Sequence, residues 1–326
     1  MRTIKLLTAA ILAACLSCSA CGARRDGNAV RVALDWTPNT NHTGLIMAIK
    51  NGYYADEGLE ATLLAPGSDT SALSIVASGG AEFGISSQDG MLPALTSETP
   101  FPIKAVAALI QHNTSGIISL KESGVTSPRL MAGRRYATWD APVEKAVIKT
   151  VVERDGGAYE DIIMIPNTVT DTLSALQTDI DAVWIFYAWD GVAAKVKGID
   201  ANYFYFKDLD PTLDYYTPVF VSSDDFLENN AEIAKKFLKA TRLGYEYAIE
   251  NPEESAAALC EYAPEIDPEI ALQSQIYLAE QYKAEVAKWG EIDVKRWDAF
   301  YDWCYENDII SEKTPSGFGF TNDFLN

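Results

Sequence analysis

Histidine and cysteine are scarce in this chain, and their scarcity argues against a metal site. The 326 residues include two His and five Cys, and three of the cysteines, Cys15, Cys18 and Cys21, fall near the start. The folded part has no close Cys or His pair of the kind that binds metal. Cys260 and Cys304 are the two cysteines of that part. They could pair in an oxidising compartment, and two unbridged core thiols are the equal alternative.

Positive charge is also in short supply. The chain has 26 Lys and Arg against 46 Asp and Glu, a formal net charge of −20. A surface this acidic repels phosphate backbones and anionic headgroups, so we expect no nucleic-acid partner. The same balance favours a cationic or neutral ligand over a polyanionic one.

Long hydrophobic runs are absent as well. The apolar stretch 6–14, preceded by Arg2 and Lys5, is far shorter than the ~20 residues that a membrane-spanning helix needs. A positive start followed by a short apolar run is typical of an export signal. We therefore expect the mature chain to work outside the cytoplasm.

The end of that run suggests a lipid anchor. Leu12-Ala13-Ala14-Cys15 resembles the bacterial lipoprotein box, which makes Cys15 the preferred lipid acceptor. Cys21 is the main alternative, because it would give a more usual signal length, and an ordinary secretory signal is the alternative to lipidation. We assign 1–21 to the signal and the start of a tether, and the small, polar stretch 22–29 to a linker.

From residue 30 onward, apolar runs alternate with amphipathic segments, and this alternation predicts an α/β fold of mostly parallel sheets covered by helices. The pattern restarts once, so we predict two lobes: 30–113 with 219–326 as a discontinuous first lobe, and 114–218 as the second. Gly79-Gly80 closes a helix and does not form a glycine-rich phosphate loop. The predicted strands are 30–35, 59–65, 81–85, 103–110, 116–120, 135–138, 162–165 and 182–186, and the predicted helices are 43–50, 69–78, 90–95, 142–154, 169–177, 190–197, 231–250, 252–262, 268–282 and 294–307.

Ligands of open α/β sheets bind beyond the carboxyl ends of the strands, and the segments at those ends are rich in polar and aromatic side chains. Indole and phenol rings stack on flat ligands, amides and hydroxyls complement ring nitrogens, and carboxylates pair with amines. This composition predicts a small heteroaromatic amine as ligand. The candidate ligand-binding residues are Trp36, Asn39, Asn41, His42, Ser68, Asp69, Ser86, Ser87, Gln88, Trp139, Asp140, Tyr187, Trp189 and Asp190.

Several candidates have a structural alternative. Ser68 and Asp69 also qualify as the N-cap of the helix that follows them, and His42 alone could be a buried core histidine. We interpret Trp184 and Phe186 as strand core rather than as site residues.

The segment 34–42, which reads L-D-W-T-P-N-T-N-H, together with G-Y-Y-A-D-E-G-L at 52–59, resembles the opening of the NMT/THI-type family. G-G-A-E-F-G-I at 79–85 and I-D-A at 180–182 match later landmarks, so the resemblance covers roughly 30–250. It implies a two-lobe, type II periplasmic-binding fold. It also implies a receptor that passes a thiamine pyrimidine precursor, such as formylaminopyrimidine, to the permease and ATPase of an ABC importer.

The family also includes an enzyme, hydroxymethylpyrimidine phosphate synthase, which uses a Lys-bound pyridoxal phosphate and a consumed His after the third strand. The matching segment here, 85–91, reads I-S-S-Q-D-G-M and contains neither residue. We therefore expect no enzymatic activity and no cofactor.

Members of this family tend to have a carboxylate just after the strand that follows Asp181, and this chain has F-Y-A-W-D at 186–190 there. The resemblance therefore leaves the exact ligand open. A sulfonate- or nitrate-type anion receptor is the alternative. The chain is expected to act as a monomer, attached to the cell membrane through its lipid.

Overall fold

The computed structural model describes residues 28–65, 67, 70–166 and 171–325. The predicted signal with Cys15 and Cys21, most of the predicted linker, and the candidates Ser68 and Asp69 lie outside the described residues. Within the described ranges, no helix is long and apolar enough to cross a membrane, and no group of His, Cys, Asp and Glu has the geometry of a metal site.

Two five-stranded sheets organise the chain. The first has the strand order β2-β1-β3-β10-β4 and the second β7-β6-β8-β5-β9. In each sheet one strand, β10 or β5, runs antiparallel to both neighbours, whereas the pairs made by β1 and by β6 are parallel. The strands are β1 Ala29–Ala33, β2 Glu60–Leu64, β3 Phe83–Ser86, β4 Ile103–Ala108, β5 Ser115–Leu120, β6 Arg135–Thr138, β7 Ile163–Pro166, β8 Ala182–Phe186, β9 Ala201–Tyr205 and β10 Val219–Ser223.

Helices connect and cover the strands, which confirms the predicted α/β class with mostly parallel sheets. The α-helices are α1 Thr43–Lys50, α2 Tyr53–Asp56, α3 Ala72–Ala77, α4 Gln88–Thr96, α5 Pro142–Arg154, α6 Thr172–Leu176, α7 Val192–Val196, α8 Phe206–Leu209, α9 Asp224–Asn229, α10 Ala231–Glu250, α11 Pro252–Tyr262, α12 Pro268–Ala279 and α13 Val294–Glu306. A π-helical turn spans Tyr187–Gly191, and 3₁₀ turns span Thr40–His42, Lys121–Ser123, Pro128–Met131, Tyr159–Asp161 and Pro211–Leu213.

Helix ends follow local sequence where the capping residue is clear. Pro142 occupies the first turn of α5, where its missing N–H costs nothing. The cap of α3 is Ser71, whose hydroxyl accepts from the Ser74 N–H, so the prediction of a helix starting at 69 was wrong. Because Ser71 offers a capping hydroxyl closer to the apolar run, the helix begins directly after it, at Ala72.

In each lobe an arginine–carboxylate pair joins two neighbouring parallel strands, β1 with β3 and β6 with β8. Arg31 at β1 gives its backbone N–H and its guanidinium to the Glu82 carboxylate, with contacts of 2.7 to 3.1 Å. Arg135 at β6 makes the same three contacts to Asp181, at 2.8 to 3.3 Å. Three N–H groups on one carboxylate fix orientation as well as distance. Glu82 directly precedes β3 and Asp181 directly precedes β8, so both carboxylates lie at the amino ends of those strands.

Helices α1 and α10 approach each other at glycine positions. A Cβ on Gly44 would lie 2.3 Å from the Tyr245 ring, and one on Gly244 would lie 2.0 Å from the Gly44 carbonyl oxygen. The Tyr245 hydroxyl donates to the Asn41 carbonyl at 2.6 Å. The close approach therefore braces the segment that follows β1.

The chain passes between the two sheets after β4 and again before β10, and a charged cluster joins the two passages. His112, in the first passage, has its Nδ1 2.6 Å from Asp214 Oδ2 and its Nε2 2.9 Å from Glu285 Oε2. Arg296 lies beside them, 3.4 Å from Asp214 and stacked over the Tyr216 ring at 4.1 Å. The lobe boundaries at 113/114 and 218/219 stay a prediction.

The cluster gives stability a pH dependence. The Asp214 carboxylate, helped by Glu285 and opposed by burial, raises the pKa of His112 above its ordinary value. A raised pKa in the folded state means stability that is complete below pH ~6.5 and is lost as pH rises through the folded pKa. We expect this contribution to be about 1 kcal/mol, since the cluster is partly exposed. Urea unfolding of wild type and His112→Asn between pH 5.5 and 9 should show a difference that shrinks with rising pH, and a constant difference would contradict the assignment.

The two cysteines of the described part do not pair. Cys304 is buried in the core and Cys260 is half-buried on α11, and both are free thiols. Of the two alternatives from sequence, the structure has the unbridged one.

Candidate functional site

A cavity of about 890 Å³ lies where the carboxyl ends of strands from both sheets face each other, a volume within the range of small-molecule sites. Its walls come from the segments after β1, β3, β6 and β8 together with the first turns of α3 and α4. The residues that line it include Asp35, Trp36, Asn39, Asn41, Ser86, Ser87, Trp139, Thr172, Trp184, Phe186, Trp189 and Asp190.

Indole rings contribute to the apolar surface of the cavity. Trp36, from the first lobe, is 56% exposed, and Trp139, from the second, is 45% exposed. Trp139 meets Trp184 edge to face at 5.2 Å, and Trp184 packs on Phe206 behind it. Exposed aromatic rings at a concave surface, supported from behind, are suited to stacking on a flat ligand.

The charged groups of the cavity are negative. Asp35 and Asp190 line it, and the described lining residues include no Lys, Arg or His. The positions after residue 27 that the structure does not describe are also free of these three residue types in the sequence. Burial raises the pKa of Asp190, and a hydrogen bond with Thr172 acts in the opposite direction. An amine or protonated ring nitrogen would stabilise this half-buried carboxylate.

Local hydrogen bonds shape the loop that carries Asp35 and Trp36. The Asn39 side chain caps the turn Thr40–His42 by accepting from the Asn41 N–H at 2.8 Å, and the Asn39 N–H donates to Nδ1 of His42. The second His42 nitrogen, Nε2, lies 2.9 Å from Asp35 Oδ1. The loop is therefore fixed by its own residues before any ligand enters.

The turn Tyr187–Gly191 brings Trp189 and Asp190 to the cavity while resting on the opposite lobe. The Ser274 hydroxyl of α12 donates to the Ala188 carbonyl and lies 2.6 Å from the Thr40 hydroxyl. Tyr187 packs against Tyr203, Tyr205 and Tyr277, with ring centroids 5.0 to 5.6 Å away. The Ser274 hydroxyl therefore connects the turn Tyr187–Gly191 of the second lobe with the turn Thr40–His42 of the first lobe.

The structure brings eight of the sequence candidates to the cavity: Trp36, Asn39, Asn41, Ser86, Ser87, Trp139, Trp189 and Asp190. Four others do not line it. His42 is fully buried, and Gln88 is buried with its amide on the Trp297 carbonyl and the Tyr216 N–H. The Asp140 carboxylate forms an ion pair with Lys145 at 2.5 Å. The Tyr187 ring packs against the rings of Tyr203, Tyr205 and Tyr277.

Some of the residues that line the cavity were not among the predicted site residues. Trp184 and Phe186, interpreted as strand core, both face the cavity, and Phe186 is 40% exposed. Asp35 was not among the predicted site residues, whereas its neighbour Trp36 was. Its position just after β1 already indicates a place at the cavity. Thr172 lay inside a predicted helix, and only the structure shows that α6 begins there.

Comparisons with known proteins match the chain to one family, which includes a binding protein and synthases. The sequence matches the family model described as NMT1/THI5 like over residues 39–255. The formylaminopyrimidine-binding protein of Halalkalibacterium halodurans is 27% identical over 303 residues, which cover 90% of this chain and 89% of that protein. The 4-amino-5-hydroxymethyl-2-methylpyrimidine phosphate synthase of Legionella pneumophila is 23% identical over 243 residues, covering 73% of this chain and 74% of the synthase.

Solved structures share the fold. The alkanesulfonate-binding protein SsuA from Xanthomonas axonopodis pv. citri, solved with MOPS bound, superposes with a TM-score of 0.68. It is 14% identical, and the match covers 90% of this chain and 98% of that chain. This likeness confirms the two-lobe, type II periplasmic-binding fold. At such low identity it carries no information about the ligand.

Proposed function

The chain belongs to the NMT1/THI5-like family, and from that premise we propose that it is a receptor for a small heteroaromatic amine, a thiamine pyrimidine precursor of the formylaminopyrimidine class. One observation carries the proposal: the cavity offers indole faces and two carboxylates, with no cationic side chain among the described lining residues. An aminopyrimidine presents a flat ring for stacking and N–H donors for carboxylates. A relative that covers most of this chain is named for binding formylaminopyrimidine.

The placement of the groups supports binding by closure of the two lobes. Trp36 and Asp35 come from the first sheet, whereas Trp139 and Asp190 come from the second. A ligand between them contacts both lobes only when the cleft is closed. It would therefore favour the closed state by its differential affinity.

We propose that the protein is not an enzyme. The family's synthases need a Lys and a His after the third strand, and the segment 85–91 has neither. In its place, Ser86 and Ser87 line the cavity and Gln88 is committed to core hydrogen bonds. Without an amine, pyridoxal phosphate has no covalent anchor here. An absorbing Schiff base on incubation with pyridoxal phosphate would overturn this view.

An anion receptor is the second candidate, and one feature favours it. The first turn of α4 faces the cavity at Ser87 and Gly90, and helix N-termini attract anions. The Gly90 N–H, however, already donates to the Ser87 hydroxyl at 3.2 Å. Because Asp35 and Asp190 would repel a sulfonate or nitrate, we favour the amine.

Thermal unfolding tests the ligand class directly. A ligand at 100 times its Kd stabilises the folded state by about 2.7 kcal/mol. We expect formylaminopyrimidine and related aminopyrimidines to raise the Tm, and taurine, alkanesulfonates and nitrate to leave it unchanged. A shift with taurine and none with any pyrimidine would replace the amine with the anion as the proposed ligand.

We further propose export, lipid attachment at Cys15 with Cys21 as the alternative acceptor, action as a monomer, and delivery to an ABC permease and its ATPase. The support is the sequence signal together with the similarity to binding proteins. Mass spectrometry of the membrane-extracted protein tests the anchor. Cys15→Ser should abolish a lipid-mass increment that Cys21→Ser leaves in place, and the reverse result would move the anchor to Cys21.

Trp36→Ala tests the stacking face. Removal of one aromatic platform under a base-like ring costs ~1–3 kcal/mol, so we expect formylaminopyrimidine to bind roughly 5- to 150-fold more weakly. Folding should be nearly unaffected, since the side chain is 56% exposed. Isothermal titration measures the affinity, and Tyr262→Ala, at a 47% exposed aromatic outside the cavity, is the control. A variant that unfolds would show that Trp36 is structural.

A further inference from the structure

His42 is the buried member of a hydrogen-bonded pair with a cavity carboxylate. Its side chain is fully buried, so it cannot touch a ligand. Its Nε2 lies 2.9 Å from Oδ1 of Asp35, whose side chain is 32% exposed and lines the cavity. The imidazole therefore lies behind a group that a ligand can reach.

A hydrogen bond at the other ring nitrogen, Nδ1, determines which nitrogen of His42 carries the proton. The Asn39 backbone N–H points at Nδ1 of His42 at 3.2 Å, and a backbone N–H can only donate. Nδ1 must then accept and carry no proton, so the single proton of the neutral ring sits on Nε2 and faces Asp35. The turn Thr40–His42 thus aims one N–H at one carboxylate oxygen.

We propose that His42 is a positioning residue for ligand binding: it holds the Asp35 carboxylate so that the free oxygen, Oδ2, faces the cavity and accepts from the amine ligand. This inference rests on the proposed function. Asp35 is placed at the end of β1 and would otherwise rotate freely about its side-chain bonds. A fixed carboxylate binds a donor with less loss of conformational freedom.

A competing explanation is that His42 merely completes the turn, because it also accepts from Asn39. Two substitutions separate the two contacts. His42→Gln places its amide near the position of Nε2 and keeps a donor for Asp35, but loses the acceptor for Asn39. His42→Asn keeps an acceptor near the position of Nδ1 and loses the donor for Asp35.

The binding experiment is calorimetric titration of the full chain with formylaminopyrimidine. Loss of one hydrogen bond to a charged group predicts about tenfold weaker binding for His42→Asn, whereas His42→Gln should stay within about threefold of wild type. In an Asp35→Ala background the two variants should bind equally, because the group on which His42 acts is gone. Weaker binding by the Gln variant than by the Asn variant, or unequal binding without Asp35, would overturn the proposal.

A second measurement needs no ligand. The chain has two histidines, so His112→Asn assigns the ¹⁵N signals of His42 in labelled protein. We expect an Nε2-protonated, Nδ1-unprotonated ring, and protonation at Nδ1 would overturn the positioning role. If wild type binds no pyrimidine, the proposed function fails while this measurement still tests the hydrogen bond.

Discussion

Asp190→Asn is expected to weaken binding of formylaminopyrimidine at least about 30-fold while leaving the free protein as stable as before or more stable. Loss of one partner in a buried charged contact costs about 2 kcal/mol or more. Burial raises the pKa of Asp190, so above the ordinary Asp pKa of ~3.9 the ionised group destabilises the folded state. The neutral amide removes that cost.

The control is a second acid of the same lobe. Asp140 follows β6 but pairs with Lys145 outside the cavity, and its positive φ of 68° suits Asn. Asp140→Asn should therefore bind the ligand like wild type. Calorimetry gives the affinities and thermal unfolding the stabilities. If Asp190→Asn binds normally, the amine of the ligand is not held there.

Gly244→Ala is expected to lower the free energy of unfolding by about 3 kcal/mol, although alanine is favoured over glycine inside a helix by ~1 kcal/mol. The new Cβ would lie 2.0 Å from the Gly44 carbonyl oxygen and 2.9 Å from the Ala48 backbone nitrogen. Both atoms belong to the backbone of α1, so no side-chain rotation can make room. Helices α1 and α10 would have to separate.

Urea unfolding measures the loss, with Leu243→Ala as the control on the same helix. Leu243 is 37% exposed, and its truncation should change stability by roughly 0.5 kcal/mol or less. Because Tyr245 braces the loop after β1, the Gly244 variant should also lose ligand affinity. A variant more stable than wild type would show that helix propensity outweighs the close contact.

Local patterns predicted most elements of this fold. Helix α5 begins and ends at the predicted Pro142 and Arg154, and α10 spans the predicted 231–250, because periodicity and capping residues are local signals. Strand β9, Ala201–Tyr205, was missed. All of its residues are partly exposed and it pairs along one side only, with β5, so it lacks the alternation that marks a half-buried strand.

The candidate site was predictable to the extent that it depends on strand ends. Trp36, Trp139 and Trp189 line the cavity, because parallel strands place their carboxyl ends together. Gln88, also a predicted ligand-binding residue, does not line the cavity, because its amide donates to the Trp297 carbonyl, 209 residues away in the sequence. Trp184 is both a core residue and a lining residue, since it packs on Phe206 and also borders the cavity. A sequence cannot show such long-range partners.

The Arg31–Glu82 and Arg135–Asp181 pairs have a consequence at the other end of their strands. Each pair ties two neighbouring parallel strands, β1 to β3 and β6 to β8, where Val32 aligns with Phe83 and Tyr136 with Ala182. A slip of one residue would turn every side chain of the strand to the opposite face. Trp36 and Trp139 follow these strands, so we expect such a slip to move both rings from their places in the cavity wall. The alignment of these rings thus depends on contacts at the amino ends of β3 and β8, whereas the cavity lies at the carboxyl ends.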